Sequence, residues 1–523
     1  MQVSDGPRAS GLGGFLRREG VLLAALVVAL VLRTWKLADQ SPADDEWHAL
    51  VMSASAGMRE ILTSFGGSDH SIPMTAYFEL VAETLGLCDV SLRAPMVVAG
   101  LLLVLSIGIV FRAAFGRPVG DLAAWLAALS PFLTFFSRFA RPYVLAGLLG
   151  FLALAALMRF AAHGRRRDAA LYVCAAVLAG WFLLSSLPAL LAPLGWFAWR
   201  RLRSASGPSL ASLVTLGALV LGGLGLLLAP ALLGDWNSLS GRFGQGRFDL
   251  GLQLVAVRLL LGLCEPWLVA PLVLLAALGL RAQLRSTPTW AALGLVVFVA
   301  QWCATVFVLP PRGDIFARYA LPVLPFVLGW LASGVDTLRA RTGTWLAPAA
   351  LFVLVGAGPF PRLPRSIDDW FASRLLIELL SGAELHARTV RAEPGFYATL
   401  AQHEPGSLTL IEAPVPLPFV SNALPVYQGR HRQHTRIAIV SAPDWHPPVE
   451  QLRYGYPYAS EQIVWLEDVR RGAGQGDFLV LHKDLVREAT ARAVPLGPFR
   501  ARLEERLGAP CYEDELVVVF DLR

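Results

Sequence analysis

Three adjacent carboxylates, Asp44, Asp45 and Glu46, stand in the stretch SPADDEWHAL, closely followed by His48. A carboxylate within hydrogen-bond reach of a reacting hydroxyl can act as a general base. A carboxylate that begins a helix also serves as a plain N-terminal cap. The cluster is therefore predicted to be either a base with its neighbours or a helix cap.

A second group of reactive side chains is cationic. Arg138 and Arg141 stand in FFSRFARPYVLAG, between two apolar segments, and Arg318 stands in PPRGDIFARYALPVLP, just before another. A guanidinium binds phosphate well because its planar fork donates parallel hydrogen bonds. Arginines at helix ends also reach lipid headgroups, which is the alternative explanation. A general base beside an anion-binding site is typical of a transferase that acts on a phosphate-linked donor.

The remaining polar residues indicate no cofactor. His70, in SDHSIPM, is a lone loop histidine, predicted to be either solvated or in contact with substrate. His431, His434 and His446 lack metal-ligand spacing and are predicted to lie on the surface. The chain has no Walker A sequence or Gly-rich nucleotide motif. A divalent cation beside a phosphate stays an alternative, because carboxylates can recruit Mg²⁺ there.

Composition places these residues in a membrane protein. The 523 residues are 55% hydrophobic and only 16% charged, with a mean hydropathy of +0.54, whereas soluble domains average about 25% charged. The net charge of +6 comes from Arg in short loops between apolar runs, which indicates a cytoplasmic face and not nucleic-acid binding. The first apolar run is predicted to be a retained helix and not a cleaved signal peptide.

The lengths of the apolar runs predict about eleven membrane spans. They cover approximately residues 20–38, 91–111, 119–136, 142–160, 169–185, 187–200, 209–233, 253–280, 289–309, 319–336 and 344–360. Pro266 is a candidate break within the run 253–280. Alternate loops are rich in Arg, which predicts a cytoplasmic N-terminus and places the loop 39–90 and the segment after 361 outside.

The long first outer loop is predicted to hold two short helices. WHALVMSASAGMREIL would put Leu50, Met58 and Ile61 on one helical face, together with Ala54. PMTAYFELVAETLG would form a second helix that starts at Pro73. These helices must position the acidic cluster, because Asp45 and Glu46 lead directly into the first of them.

The C-terminal segment has ordinary polarity and is predicted to be a small α/β domain. LTLIEA, RIAIVSA, DFLVLH and ELVVVFDL read as strands, and IDDWFASRLLIELL and ARLEERLG read as helices. The predicted fold class is therefore a polytopic α-helical membrane protein with a C-terminal soluble α/β domain. Residues 1–360 would form the transmembrane domain, with the outer-loop helices at 39–90, and residues 361–523 the extracytoplasmic domain.

Several motifs in roughly the first 340 residues resemble those of the GT-C membrane glycosyltransferases. They are ADDEWHAL, HSIPMTAYFEL, DVSLRAPMVVAG, SRFARPYVLAGLLGFLALAALMRF and RYALPVLP. The similarity is to the group of families 39 and 83, which includes protein O-mannosyltransferases and the lipid A aminoarabinose transferase. It implies a GT-C fold and inverting transfer of a sugar from a polyprenyl-phosphate carrier. The acceptor would be a glycan, lipid or protein outside the bacterial inner membrane.

The resemblance also implies roles for individual residues. Asp45 would be the catalytic base that deprotonates the acceptor, and Glu46 would orient it. Substrate-binding roles would fall to Asp44, His48, His70, Arg138, Arg141, Tyr143 and Arg318. Two departures from the family pattern concern His70, which is followed by Ser-Ile-Pro and not by a direct Pro, and His48, where the aminoarabinose branch tends to have Arg.

Two functions of other classes stay open from the sequence. A polyprenyl-linked lipid transporter or flippase also needs many spans, but its charges belong near the bilayer midplane, and here the carboxylates gather at one face. A non-catalytic envelope scaffold would need Asp45 only for stability. All these readings predict membrane lipids as partners and none predicts nucleic acid.

Overall fold

A computed structural model describes most of the chain. The described residues are 12–35, 37, 46–55, 57–66, 71–85, 88–204, 207–240, 248–263, 266–308, 317–343, 394–415, 427–428, 431–439, 463–483 and 496–523. They divide into two compact units. The first unit comprises Met1–Leu37 and Arg93–Glu384, and the second comprises Ala38–Leu92 and Leu385–Arg523.

Long apolar helices build the first unit. Its helices are α1 (Leu12–Thr34), most of α5 (Asp89–Phe115), α6 (Arg117–Leu129), α7 (Pro131–Ser137), α8 (Tyr143–His163), α9 (Arg166–Phe182), α10 (Leu187–Ser204), α11 (Leu210–Gly234), α12 (Trp236–Ser240), α13 (Leu250–Leu261), α14 (Val269–Ser286), α15 (Pro288–Val308) and α16 (Leu324–Thr342). Among the described residues, six helices are long and apolar enough to cross a membrane, or seven if a bent pair counts as one span. The predicted number of about eleven stays a prediction.

Two of the predicted spans are interrupted. The run 119–136 is two helices, α6 and α7, bent by 61° where Ser130 separates them. Proline at the second helix's first position accounts for the break, because it cannot donate to the preceding turn. The run 253–280 is also two helices, since α13 ends at Gly262 with a left-handed φ of 69°. The span predicted at 344–360 and the domain boundary predicted at 360 lie outside the described residues.

Helices α14 and α16 approach each other at backbone distance. A Cβ added to Gly279 would overlap the Trp330 carbonyl oxygen, and one added to Gly334 would overlap the Leu275 carbonyl oxygen. Gln283 of α14 also links the two helices. Its Nε2 donates to the Gly329 carbonyl at 3.1 Å and to Ser333 Oγ at 2.7 Å, both on α16. Small residues and interhelical hydrogen bonds are what stabilise helix pairs in an apolar solvent.

The second unit begins with the helices of the outer loop. They are α2 (Glu46–Ser55), α3 (Met58–Thr63) and α4 (Ile72–Thr84). The single helix predicted across WHALVMSASAGMREIL is two helices, since Gly57 is extended, with φ −73° and ψ 159°. The helix predicted from Pro73 is confirmed as α4. The three helices pack against one another, and Leu50, Ile61 and Phe78, one from each helix, are buried.

A six-stranded sheet occupies the C-terminal part of the second unit. The strands are β1 (Thr409–Val415), β2 (His434–Ile439), β3 (Ile463–Trp465), β4 (Phe478–His482), β5 (Tyr512–Glu513) and β6 (Val517–Asp521). Their order is β3-β2-β1-β4-β6-β5; the first four are parallel, and β6 is antiparallel to β4 and β5. Helices α17 (Gly395–Leu400) and α18 (Leu496–Leu507) accompany it.

Alternation along the strands produces two cores. Leu410, Ile437 and Val480 pack with α17 on one face, and Ile411 and Leu479 pack with α18 on the other. The four stretches predicted as strands overlap β1, β2, β4 and β6, and ARLEERLG overlaps the C-terminal part of α18. The short strands β3 and β5 were not predicted, and the helix predicted at IDDWFASRLLIELL lies outside the described residues.

Candidate functional site

The acidic cluster leads into helix α2. Asp44 and Asp45 lie outside the described residues, as does His70, and the side chain of His48 is not described. Glu46 is the first residue of α2 and is only 1% exposed. A negative charge is favourable at that position because the helix dipole is positive there. Such burial is not what a solvated surface loop would give.

The two arginines of the α7–α8 turn are inside the first unit. Arg138 is 2% exposed and Arg141 is 9% exposed, so neither side chain spreads over a lipid-facing surface. Arg138 Nη1 donates to the carbonyl oxygens of Trp35 at 2.6 Å and Leu32 at 3.4 Å. These carbonyls lie at the C-terminal end of α1, where helical hydrogen bonding leaves them without partners. Arg138 thus caps α1, and both arginines make further interactions.

Arg33, on α1, caps the end of α6, and it was not predicted from the sequence. It is fully buried, and its guanidinium donates to the carbonyl oxygens of Ala127 and Ala128 at 3.2 Å each and to Ser137 Oγ at 3.1 Å. Those carbonyls end α6 at the proline break. A cation at a helix C-terminus satisfies the free carbonyls and complements the dipole. Two arginines therefore tie the end of α1, which leads into the acidic cluster, to the α6–α7 bend.

Tyr143 and Arg318 lie together in the first unit. Arg318 Cζ is 5.6 Å from the ring centroid of Tyr143 and 5.7 Å from that of Tyr319, and the two rings meet edge to face at 5.7 Å. Such distances give cation–π attraction. The structure therefore brings together two of the residues predicted to bind substrate, Tyr143 and Arg318, and adds Tyr319.

Gln301 on α15 supports this cluster and was also missed in the sequence. Its Nε2 donates to the carbonyl oxygens of Tyr319 at 2.8 Å and Ser185 at 2.9 Å. Its Oε1 is buried and has no hydrogen-bond partner among the described residues. A buried glutamine inside an apolar helix was the available sequence signal, because an amide is costly to bury without partners.

Further buried polar atoms of the first unit also have no hydrogen-bond partner within the described ranges. They are Thr134 Oγ1, Trp181 Nε1, Ser185 Oγ, Ser186 Oγ and both side-chain atoms of Gln253. Five of these atoms belong to hydroxyl or amide groups, and each such buried group normally pairs with protein or water.

The sheet of the second unit contains a buried polar cluster. Glu412, at 1% exposure, accepts hydrogen bonds from Tyr397 Oη at 2.9 and 3.0 Å and lies 2.7 Å from His482 Nε2. Glu412 is on β1 and His482 ends β4, so the cluster lies where the strand order reverses. Among the described residues, no group of three or more His, Cys, Asp or Glu has the arrangement of a metal site.

His431 corrects the prediction that the C-terminal histidines lie on the surface. It is only 1% exposed, whereas His434 is exposed and His446 lies outside the described residues. The Gln433 backbone N–H donates to His431 Nδ1 at 3.0 Å, so the neutral ring carries its proton on Nε2. Burial lowers the pKa of His431 to about 4, against the opposing charge of Glu412. Its ring stays neutral at physiological pH.

Comparison with known proteins identifies the fold. No protein-family model matches the chain, and no curated protein matches it by sequence. Structure comparison matches ArnT from Cupriavidus metallidurans bound to undecaprenyl phosphate, with a TM-score of 0.52 and 16% identity over 97% of this chain and 98% of that chain. Apo ArnT from the same organism gives a TM-score of 0.53 and 17% identity over the same shares.

The chain has the GT-C fold. The predicted resemblance to GT-C glycosyltransferases is thereby confirmed at the level of the fold, from one end of the chain to the other. Within the GT-C fold, the second unit holds Glu46, and the first unit holds Arg138, Arg141, Tyr143 and Arg318. The catalytic and substrate-binding roles of these residues stay predictions.

Proposed function

We propose that the chain is an inverting glycosyltransferase that moves a sugar from a polyprenyl-phosphate carrier to an acceptor outside the membrane. One observation carries the proposal. The chain aligns over 97% of its length with a GT-C protein whose structure holds undecaprenyl phosphate. A lipid-carried donor also suits a protein whose sequence has no nucleotide-binding motif.

The proposed chemistry assigns the base to Asp45. Its carboxylate takes the proton of the acceptor hydroxyl, whose oxygen attacks the anomeric carbon from the face opposite the phosphate. The bond between that carbon and the phosphate oxygen breaks, and polyprenyl phosphate leaves with the electron pair. Direct attack inverts the anomeric centre. Glu46, buried at the start of α2, orients the base.

The leaving phosphate gains charge, and cationic side chains stabilise that charge in the transition state. We assign this role to Arg138, Arg141 and Arg318, with Tyr143 beside Arg318. The carbonyl contacts of Arg138 occupy its Nη1. Contacts to sugar or acceptor are assigned to Asp44, His48 and His70, as the family resemblance implies. With guanidinium groups supplying the positive charge, the reaction is proposed to need no metal ion.

The proposed topology has about eleven spans, a cytoplasmic N-terminus and an extracytoplasmic α/β domain over residues 361–523. It is proposed for a bacterial inner membrane. Residues 38–92 and 385–523 pack into one compact unit, which supports the same side for the outer loop and the C-terminal segment. The acceptor is a glycan, a lipid or a protein.

A donor panel tests the proposal. Purified protein in liposomes is supplied with a series of radiolabelled polyprenyl-phosphate sugars and an extract of envelope acceptors, with protein-free liposomes as the control. We expect label from one donor to pass to the acceptor, with an inverted anomeric configuration by NMR. Failure of every donor to react with folded protein would contradict the proposal. Movement of an intact donor across the bilayer would indicate a transporter instead.

A further inference from the structure

Helix α4 of the outer loop has an anionic C-terminal end. Its last turns carry Glu79 and Glu83, and no basic residue stands in its last turn. Negative charge is unfavourable at this end because the helix dipole is negative there and the last carbonyls lack partners. Burial first, and then Glu83, raise the pKa of Glu79, and the charge of Arg432 opposes them.

Arg432, two residues before β2 in the second unit, supplies the missing cation. Its Nη2 donates to the Ala82 carbonyl oxygen, in the last turn of α4, at 3.0 Å. The two residues are 350 positions apart in the chain. A guanidinium from the C-terminal segment therefore caps a helix of the outer loop.

The backbone at Arg432 has an unusual conformation that is fixed by hydrogen bonds. Arg432 is the non-glycine residue with a positive φ among those described, at 55°. Its N–H donates to the Gln428 carbonyl at 2.8 Å, and its carbonyl accepts from the Gly406 N–H at 2.8 Å. The left-handed conformation is rare for side chains other than Gly, Asn and Asp, and surrounding contacts must enforce it.

Two buried neighbours enforce it. His431 and Gln433, on either side of Arg432, are 1% and 2% exposed. The Gln433 side chain accepts from the Leu408 N–H at 3.0 Å and donates to the Leu400 carbonyl at 3.3 Å. With both neighbours anchored in the core, the exposed Arg432 side chain projects from a rigid base.

Helix α4 in turn supports the helix that starts at Glu46. Met74, Phe78 and Val81 of α4 are buried, and α4 packs against α2 and α3. Tyr77 Oη also donates to the Ser91 carbonyl at 2.6 Å, which ties α4 to the first turns of α5. Helices α2, α3 and α4 thus form one packed group, the α2–α4 platform. Fixing the end of α4 therefore fixes the position of α2.

We propose that Arg432 is a positioning residue through which the C-terminal segment holds the α2–α4 platform, and with it Glu46 at the start of α2, in place for turnover. This inference rests on the proposed function, because it assigns the acidic cluster a catalytic task. It gives the C-terminal segment a role in turnover that does not depend on contact with either substrate.

Three substitutions separate positioning from folding. Arg432→Gly removes the cap while accepting the positive φ without strain. Arg432→Lys keeps a cationic donor. Arg471→Ala is the matched control, because Arg471 Nε also donates to a backbone carbonyl, that of Arg523 at 3.3 Å, but does so within the C-terminal segment. All are made in the full-length protein.

The first readout is hydrogen exchange of the peptide that covers the end of α4, which needs no substrate. In Arg432→Gly we expect exchange about 2- to 5-fold faster than in wild type, and in Arg471→Ala no change. The second readout is transfer from the polyprenyl-phosphate sugar that wild type uses. Arg432→Gly should lower kcat about 2- to 30-fold with KM for the donor unchanged, and Arg432→Lys should restore most of it.

Unchanged exchange in Arg432→Gly would overturn the cap, and faster exchange with unchanged kcat would overturn the positioning role. If wild type transferred no sugar at all, the proposed function would fail and the catalytic part of the inference with it. The exchange data would still decide whether Arg432 caps α4. The two failures are therefore distinguishable.

Discussion

Several buried charged and polar side chains of this protein form their hydrogen bonds with other secondary-structure elements. Arg33 and Arg138 each satisfy the carbonyls that end a helix other than their own. A buried cation is tolerated in this way because backbone carbonyls replace its hydration. His431 is buried differently, as a neutral ring whose Nδ1 accepts from the backbone N–H of Gln433.

The burial of His431 predicts a pH-dependent stability. Its pKa falls from 6.5 to about 4 on folding, so the unfolded chain binds the proton more readily between these values. The free energy of unfolding is therefore at its full value above pH 6.5. It decreases as the pH falls towards 4, by up to about 3 kcal/mol. Hydrogen exchange of β1 and β4, corrected for the intrinsic pH effect, should show protection falling between pH 6.5 and 4.5.

Substitution assigns this pH effect to one ring. His431→Gln should remove much of the slope, whereas His434→Gln should leave it, because His434 is exposed three positions away. An equal slope in His431→Gln and wild type would show that another group is responsible.

At the scale of elements, close backbone approach defines the α14–α16 pair. Gly279→Ala would force a methyl group into the Trp330 carbonyl, so we expect the thermal unfolding midpoint to fall by several degrees. Gly225→Ala in α11 is the control, because nothing lies within 4 Å of its added Cβ. Alanine favours a helix over glycine by about 0.5–1 kcal/mol, so this control should be neutral or stabilising. Equal changes in the unfolding midpoint for the two substitutions would show that the α14–α16 interface is not tightly packed.

The elements also show how far sequence reasoning reaches. Proline near the start of α4 and the apolar runs of α5, α8 and α11 are local signals, and they predicted helices correctly. The break at Ser130 and the extended backbone of Gly57 were not predicted, although Pro131 and Gly57 are local signals for them. The short strands β3 and β5 exist only because a longer strand pairs with each.

The candidate site divides in the same way. Residue type and spacing singled out the acidic cluster, Arg138, Arg141 and Arg318. They did not single out Arg33, Gln301 or Arg432, each of which has a partner at least 18 positions away along the chain. His431 was misplaced for a related reason, because its burial depends on the left-handed backbone of Arg432 and on the sheet behind it.

At the scale of the whole molecule, we expect a reaction driven by side chains alone. We expect EDTA to change the rate of sugar transfer by less than about twofold, because guanidinium groups supply the charge that a metal would otherwise provide. The measurement is transfer in liposomes before and after chelation. Loss of activity that Mg²⁺ or Mn²⁺ restores would show that a metal ion takes part.

The most direct test of the central claim is the rate of sugar transfer by Asp45→Asn compared with wild type, under donor saturation and with folding checked by thermal unfolding. Glu60→Gln, an exposed carboxylate on the same outer loop, is the control and should keep the wild-type rate. A catalytic base contributes about 10²–10⁴ in rate, whereas a lost helix cap costs only about 0.5–2 kcal/mol of stability. We expect a fall of at least about a hundredfold in a folded Asp45→Asn protein. Transfer at the wild-type rate would contradict it.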